Sequence, residues 1–251
     1  MGISRRALYF RFSTFQRCHL VTGHLSLVTS KFILRSLHTR EELANTLTAF
    51  LGLLAAVIAA PVLIFAAWRS GNAGFFAGVI VFAATMIALY LVSMLYHAWP
   101  STRGKQTLQM LDHCAIFLLI AGTYTPFSLG PLRGVWGSTI LGYVWLLAIF
   151  GIILKATRGP LRHRGFSLFL YLAMSWSALV LIRPLISNLP PGALFWLLAG
   201  GVAYTAGVLF FVNDRIRYSH FVWNLFVLTG TVCHFVAVVH CIPTGSIAAT
   251  P

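Results

Sequence analysis

AGFFAGVIVFAATMIALYLVSMLYHA, residues 73–98, runs for 26 positions without a lysine, arginine, aspartate or glutamate. At about 1.5 Å per residue, a helix of this length exceeds the roughly 30 Å hydrocarbon core of a bilayer. Six further apolar runs flank it, near 44–68, 108–130, 135–155, 165–187, 192–212 and 219–242. The breaks between them are short and carry turn residues: Arg69-Ser70-Gly71-Asn72, Pro100 to Lys105, Gly130-Pro131, Arg158-Gly159-Pro160, Asn188 to Gly192, and Asn213 to Tyr218. The pattern predicts an all-α protein, a bundle of seven transmembrane helices, with no loop large enough to house a separate binding domain.

Composition agrees. Of 251 residues, 59% are apolar and 9% charged, and the mean hydropathy is +0.85. Soluble domains carry about a quarter charged residues, so a water-soluble globule is excluded. The net charge of +14 does not imply a nucleic-acid partner, because the basic residues lie between apolar runs and form no stripe. The four cysteines, Cys18, Cys114, Cys233 and Cys241, contain no CxxC pair. Neither a disulfide framework nor a thiolate metal site is expected.

Residues 1–38 differ from the remainder. They hold Arg5, Arg6, Arg11, Arg17, Lys31 and Arg35 and no acid. They read as a basic leader without a packed structure, arising either from a start assigned too far upstream or as a transit-like segment. The seven-helix domain is then 39–251.

Lysine and arginine are distributed unevenly among the breaks. The N-terminal segment and the second, fourth and sixth breaks hold 15 of them, and the opposite side holds 3. The positive-inside rule places the N-terminus in the cytoplasm and the C-terminus outside. This is the reverse of the G-protein-coupled receptor arrangement.

The four acids, Glu41, Glu42, Asp112 and Asp214, all fall at the cytoplasmic end of this topology. Asp112 lies within the third span. His97 closes the second span, and Ser93 precedes it by one helical turn on the same face. His220 opens the seventh span at the same depth, with Asn224 one turn further along. Taken singly, each histidine also reads as an interfacial residue satisfied by water or headgroups, and Asp112 as a helix-start carboxylate favoured by the macrodipole. The shared depth of the trio favours a site. Two imidazoles and a carboxylate are a zinc donor set, with water in the fourth place. His234 and His240 lie roughly 21 and 30 Å beyond His220 along the helix, too far to join. Trp68, Trp136 and Trp196 at outer ends, with Trp99 and Trp223 at inner ends, read as aromatic belts.

From about Glu41 onward the chain resembles the hemolysin III branch of the progestin and adipoQ receptor superfamily. The stretches that carry the resemblance are EELANTLT at 41–48, SMLYH at 93–97, LDHCAIFLLIAGTYTPF at 111–127, GGVAYTAGVLFF at 200–211 and SHFVWNLFVLTGTVCHF at 219–235. The resemblance implies seven helices, a cytoplasmic N-terminus and a zinc site near the inner face. Its site pattern is a Ser and a His on the second span, an Asp on the third and a His-x-x-x-His pair on the seventh. Ser93, His97, Asp112 and His220 match. Asn224 stands where the second histidine of the pair belongs, and Ala49 where the first-span motif has a histidine. A neutral amide oxygen is a poor zinc donor. Either Asp112 binds the metal directly, or affinity falls and the site is vestigial.

Three functions follow as expectations. The first is membrane or lipid homeostasis through a zinc-dependent, ceramidase-like lipid amide hydrolase, with Ser93 and Asp112 catalytic and His97, Asp112, His220 and Asn224 around the metal. The second is a non-catalytic sensor of membrane state with a vestigial site. The third is an oligomeric pore-forming cytolysin, which the scarcity of polar groups in the mid-span disfavours for a single chain. The expected partners are membrane lipids, with no nucleic acid and no indicated protein partner. The expected location is a bacterial inner membrane, or an organellar membrane if the leader is a transit peptide.

Overall fold

The computed structural model describes residues 39–100, 103–158, 164–213 and 215–242. The reading of 1–38 as a leader lies outside the described residues, as do Asp214 and Cys18. The chain divides into two compact units, Met1–Leu43 and Ala44–Pro251. Of the first, the described residues are the opening turn of the first helix. The bundle and the candidate site belong to the second.

The helices are α1 (Thr39–Arg69), α2 (Ala73–Ala98), α3 (Arg103–Leu129), α4 (Val135–Arg158), α5 (Arg164–Trp176), α6 (Ile182–Asn188), α7 (Pro191–Phe211) and α8 (Ser219–His240). A 3-10 turn, Ser177–Leu181, joins α5 to α6. With α5 and α6 taken as one span, the described residues contain seven helical segments long and apolar enough to cross a membrane, and no strand.

The sequence punctuation does its expected work at the first turn. Gly71 takes the left-handed φ of 70°, and Asn72 caps α2 by accepting the Phe75 N–H at 3.0 Å. Pro191 opens α7, where its missing N–H is no loss.

Two boundaries differ from the apolar runs. α3 begins at Arg103, ahead of the apolar stretch, so Asp112 lies more than two turns inside it. A macrodipole acts within about the first turn, so the helix-start account of this carboxylate loses its basis. The fifth span is also not continuous. Pro184 has no N–H to bond the carbonyl one turn back, and the chain tightens into the 3-10 turn just before it. The Tyr124 hydroxyl stitches that turn: it lies 2.9 and 2.8 Å from the Met174 and Ser175 carbonyls and accepts the Ala178 N–H at 3.0 Å. Lys155, grouped in the sequence with the fourth break, lies inside α4 and is buried near Cys114.

Among helices α2 to α8, the most extensive seams are α2 against α3 and α7 against α8. Inside a bilayer, helices associate chiefly through close packing, and small residues let backbones approach. Gly78 on α2 sits so close to α3 that a Cβ there would lie 2.6 Å from Pro126 Cα and 2.8 Å from its N. Backbone atoms have no rotamer with which to yield. Gly78→Val is therefore expected to destabilise the bundle by about 1–3 kcal/mol, read as earlier loss of helix structure in a detergent denaturation series. Unchanged resistance would show that the seam is looser than this.

Candidate functional site

α2 delivers Ser93 and His97 at one end of the bundle, α3 delivers Asp112, and α8 starts there with His220. Tyr218, at the N-cap of α8, holds the left-handed φ of 60°, uncommon for a residue with a Cβ. That turn fixes where α8 starts and hence the position of His220. Ser93, His97 and Asp112 are all buried.

The histidines meet ring edge to ring edge. Their Nε2 atoms are 3.2 Å apart, with centroids at 5.0 Å. Tyr96 covers one ring at 4.6 Å and Phe211 the other at 5.8 Å. Ser93 hydrogen-bonds the Asp112 carboxyl, and Asp112 lies within electrostatic reach of His97. Of the sequence-derived trio, His97 and His220 are in contact, and Asp112, carrying Ser93, lies beside His97.

Asn224 is oriented differently. Its Nδ2 donates to Asn45 Oδ1 on α1 at 3.2 Å. It shares a pocket of about 30 Å³ with Ser93, Asp112, Thr48, Ala49 and Tyr90. Asn45 is buried and was not singled out in the sequence, although it lies in the EELANTLT stretch. An isolated asparagine in an apolar helix was the available signal.

The donor set can be tested against zinc. Two nitrogens bound tetrahedrally at about 2.0–2.1 Å lie roughly 3.3 Å from each other, which the Nε2 separation of 3.2 Å matches. The imidazole pair fits. As they stand, no three His, Cys, Asp or Glu side chains among the described residues form a metal-holding group. Of the groups nearby, the carboxylate is a fitting third donor and the amide of Asn224 is not.

Four residues, Leu89, Ile116, Trp223 and Val227, line both the polar pocket and a second, mainly apolar cavity of about 100 Å³ between α3, α5, α7 and α8. Trp223 therefore departs from the belt reading. It is buried and forms part of the wall between polar and apolar space. Trp68, Trp99 and Trp136 are exposed, as belt residues are. Cys114, Cys233 and Cys241 are free thiols.

Fold and site together define a multi-pass integral membrane protein with a Ser–Asp pair and a His–His pair at one end of the bundle. Residues 37–235 match the family model described as Haemolysin-III related, and the chain belongs to that family. It is 38% identical over 199 residues to the Hemolysin-3 homolog of Bacillus subtilis (strain 168), covering 79% of this chain and 93% of that protein. It is 38% identical over 220 residues to Hemolysin-3 of Bacillus cereus, covering 87% and 100%. More distantly, it is 29% identical over 172 residues to the monocyte to macrophage differentiation factor of Homo sapiens, covering 63% and 67%. That match bears out the link to the wider progestin and adipoQ receptor group.

Proposed function

We propose that this protein is a zinc-dependent hydrolase of a lipid amide in a bacterial inner membrane, with the cluster facing the cytoplasm. The observation that carries the reading is the shared wall of Leu89, Ile116, Trp223 and Val227. It puts the pocket lined by Ser93 and Asp112 next to an apolar chamber, a layout that suits an amphiphile with a polar linkage and a long tail. The bias of Lys and Arg supports the orientation.

His97, His220 and Asp112 hold the metal in this reading. A bound zinc supplies Lewis acidity and brings the pKa of its water to about 7. Asp112 takes the proton of the attacking water and passes it to the leaving amine. Ser93 has one hydroxyl proton, and that proton goes to Asp112. Ser93 is thus a positioning residue that orients the carboxylate. The apolar cavity holds the acyl chain and excludes water.

The test is fatty-acid release from an N-acyl sphingolipid in liposomes containing the purified protein. Release is expected with zinc, lost on chelation, and reduced by about 10²–10⁴-fold in Asp112→Asn. No release from any N-acyl lipid, or release indifferent to Asp112→Asn, rejects the enzyme.

One observation favours a second reading, a non-catalytic sensor of membrane state. Asn224 is bonded to Asn45 rather than presented to the imidazoles. A sensor predicts that a deletion strain with altered membrane fluidity is fully restored by the His97→Ala gene. Failure of that gene to restore fluidity would point back to the enzyme.

A further inference from the structure

Far along α8 from the His97–His220 pair lies a separate polar group that the proposed chemistry does not use. His234 is 9% exposed and borders the apolar cavity together with Tyr204. Its Nε2 is 3.2 Å from the Leu197 carbonyl of α7. A carbonyl only accepts, so Nε2 carries the proton, and Nδ1 of the neutral ring is an acceptor. Nδ1 is buried and meets no hydrogen-bond partner among the described residues.

The neighbours cannot supply one. The Thr231 hydroxyl bonds the Val227 carbonyl at 2.9 Å, which takes its only proton. Tyr90 donates to Thr231 Oγ1 at 2.9 Å. Tyr204 reaches the same oxygen at 2.9 Å and, with the Thr231 proton committed, must donate too. Every hydroxyl proton in the group is spent, so of these two cavity-lining side chains His234 keeps an unpaired acceptor, Nδ1, and Tyr204 has only its acceptor oxygen left. The ring is also held firmly: a Cβ at Gly200 would collide with its Cδ2 and Nε2. A buried acceptor without a donor is costly, and more so where no bulk water reaches.

We infer that His234 Nδ1 and the Tyr204 phenol oxygen form a binding subsite for the hydroxyl of an otherwise apolar molecule lying in the cavity. The ligand must donate, so a hydroxyl fits where a ketone, ether or ester does not. A carboxylate is excluded too, since it would meet only lone pairs. The subsite lies in the cavity assigned above to the acyl chain but uses none of the groups of the His97–His220 cluster, since His234 lies roughly 21 Å beyond His220 along the helix.

The probes are dodecanol and its methyl ether, which differ in the single donor, with binding measured on purified protein in nanodiscs. One added neutral hydrogen bond is expected to make the alcohol about tenfold tighter than the ether. His234→Phe should abolish that preference while leaving ether binding unchanged, which also shows that the cavity is intact. Gly200→Ala, which displaces the ring, should act in the same direction. His97→Ala should leave the preference in place. Equal binding of alcohol and ether by the unmodified protein would overturn the inference without recourse to any variant, as would no binding of either. So would a preference that survives His234→Phe. A hydroxylated acyl chain of a membrane lipid offers the same donor as a free alcohol. Where the preference holds, displacement of dodecanol by hydroxystearoyl but not stearoyl phosphatidylcholine assigns the source to the lipid, and its absence assigns it to the free alcohol.

Discussion

His97→Ala is expected to remove lipid-amide turnover by more than about a hundredfold and to strip zinc from the purified protein. Loss of partners that merely orient a metal ligand already costs about 10–100-fold in affinity or activity, and His97 contributes one of only two imidazoles, its Nε2 3.2 Å from that of His220. It also lies within electrostatic reach of Asp112, so its removal alters the surroundings of the carboxylate as well. The substitution falls in the last turn of α2, where alanine is a good helix former, so the helix itself should persist. Turnover and zinc content measured on the same monodisperse preparation check this. Full turnover in His97→Ala would mean that the reacting groups lie elsewhere.

Asn224→His is expected to move zinc the other way, raising affinity by at least about tenfold, in the range by which metal-site changes act. Position 224 is one turn beyond His220, so both side chains project from the same face of α8. The present amide donates its Nδ2 to Asn45, which leaves an oxygen that competes poorly for zinc against imidazole or carboxylate. The new ring replaces it with a nitrogen donor and releases Asp112 from the need to be the third ligand. The lost bond to Asn45 costs about 1 kcal/mol, so the metal-free variant should melt slightly earlier and the metal-loaded one later. Competition against a chromogenic chelator reads the affinity directly. No gain in affinity would show that position 224 does not face the ion.

Much of this architecture is legible in the chain because the membrane leaves few choices. A segment with no charge over residues 73–98 can satisfy its backbone in lipid only as a helix, and the structure places α2 at Ala73–Ala98. The convergence of Ser93, His97, Asp112 and His220 was legible for the same reason: helix rise fixes depth, and polar groups at one depth in a bundle find each other. Rotation about the helix axis is not fixed in that way. Trp223 has the composition of a belt residue, but its buried setting is decided by how α8 turns against α7, where it packs on Phe211 and Gly207. The broken fifth span is local chemistry outweighed by length: an apolar run containing one proline reads as continuous until Tyr124, from another helix, bonds the 3-10 turn. Asn45 escaped because its partner Asn224 lies far away in sequence, on α8. The acceptor group around Thr231 escaped because the direction of each hydroxyl proton emerges only once all the partners are known.

Zinc per chain in detergent-purified protein, compared with the His97→Ala/His220→Ala double variant, tests the convergence of these three helices on one ion most directly. The account predicts bound zinc in the unmodified protein, a higher content in Asn224→His, and background alone in the double variant. Equal zinc in the unmodified protein and the double variant, or none in either it or Asn224→His, would contradict it.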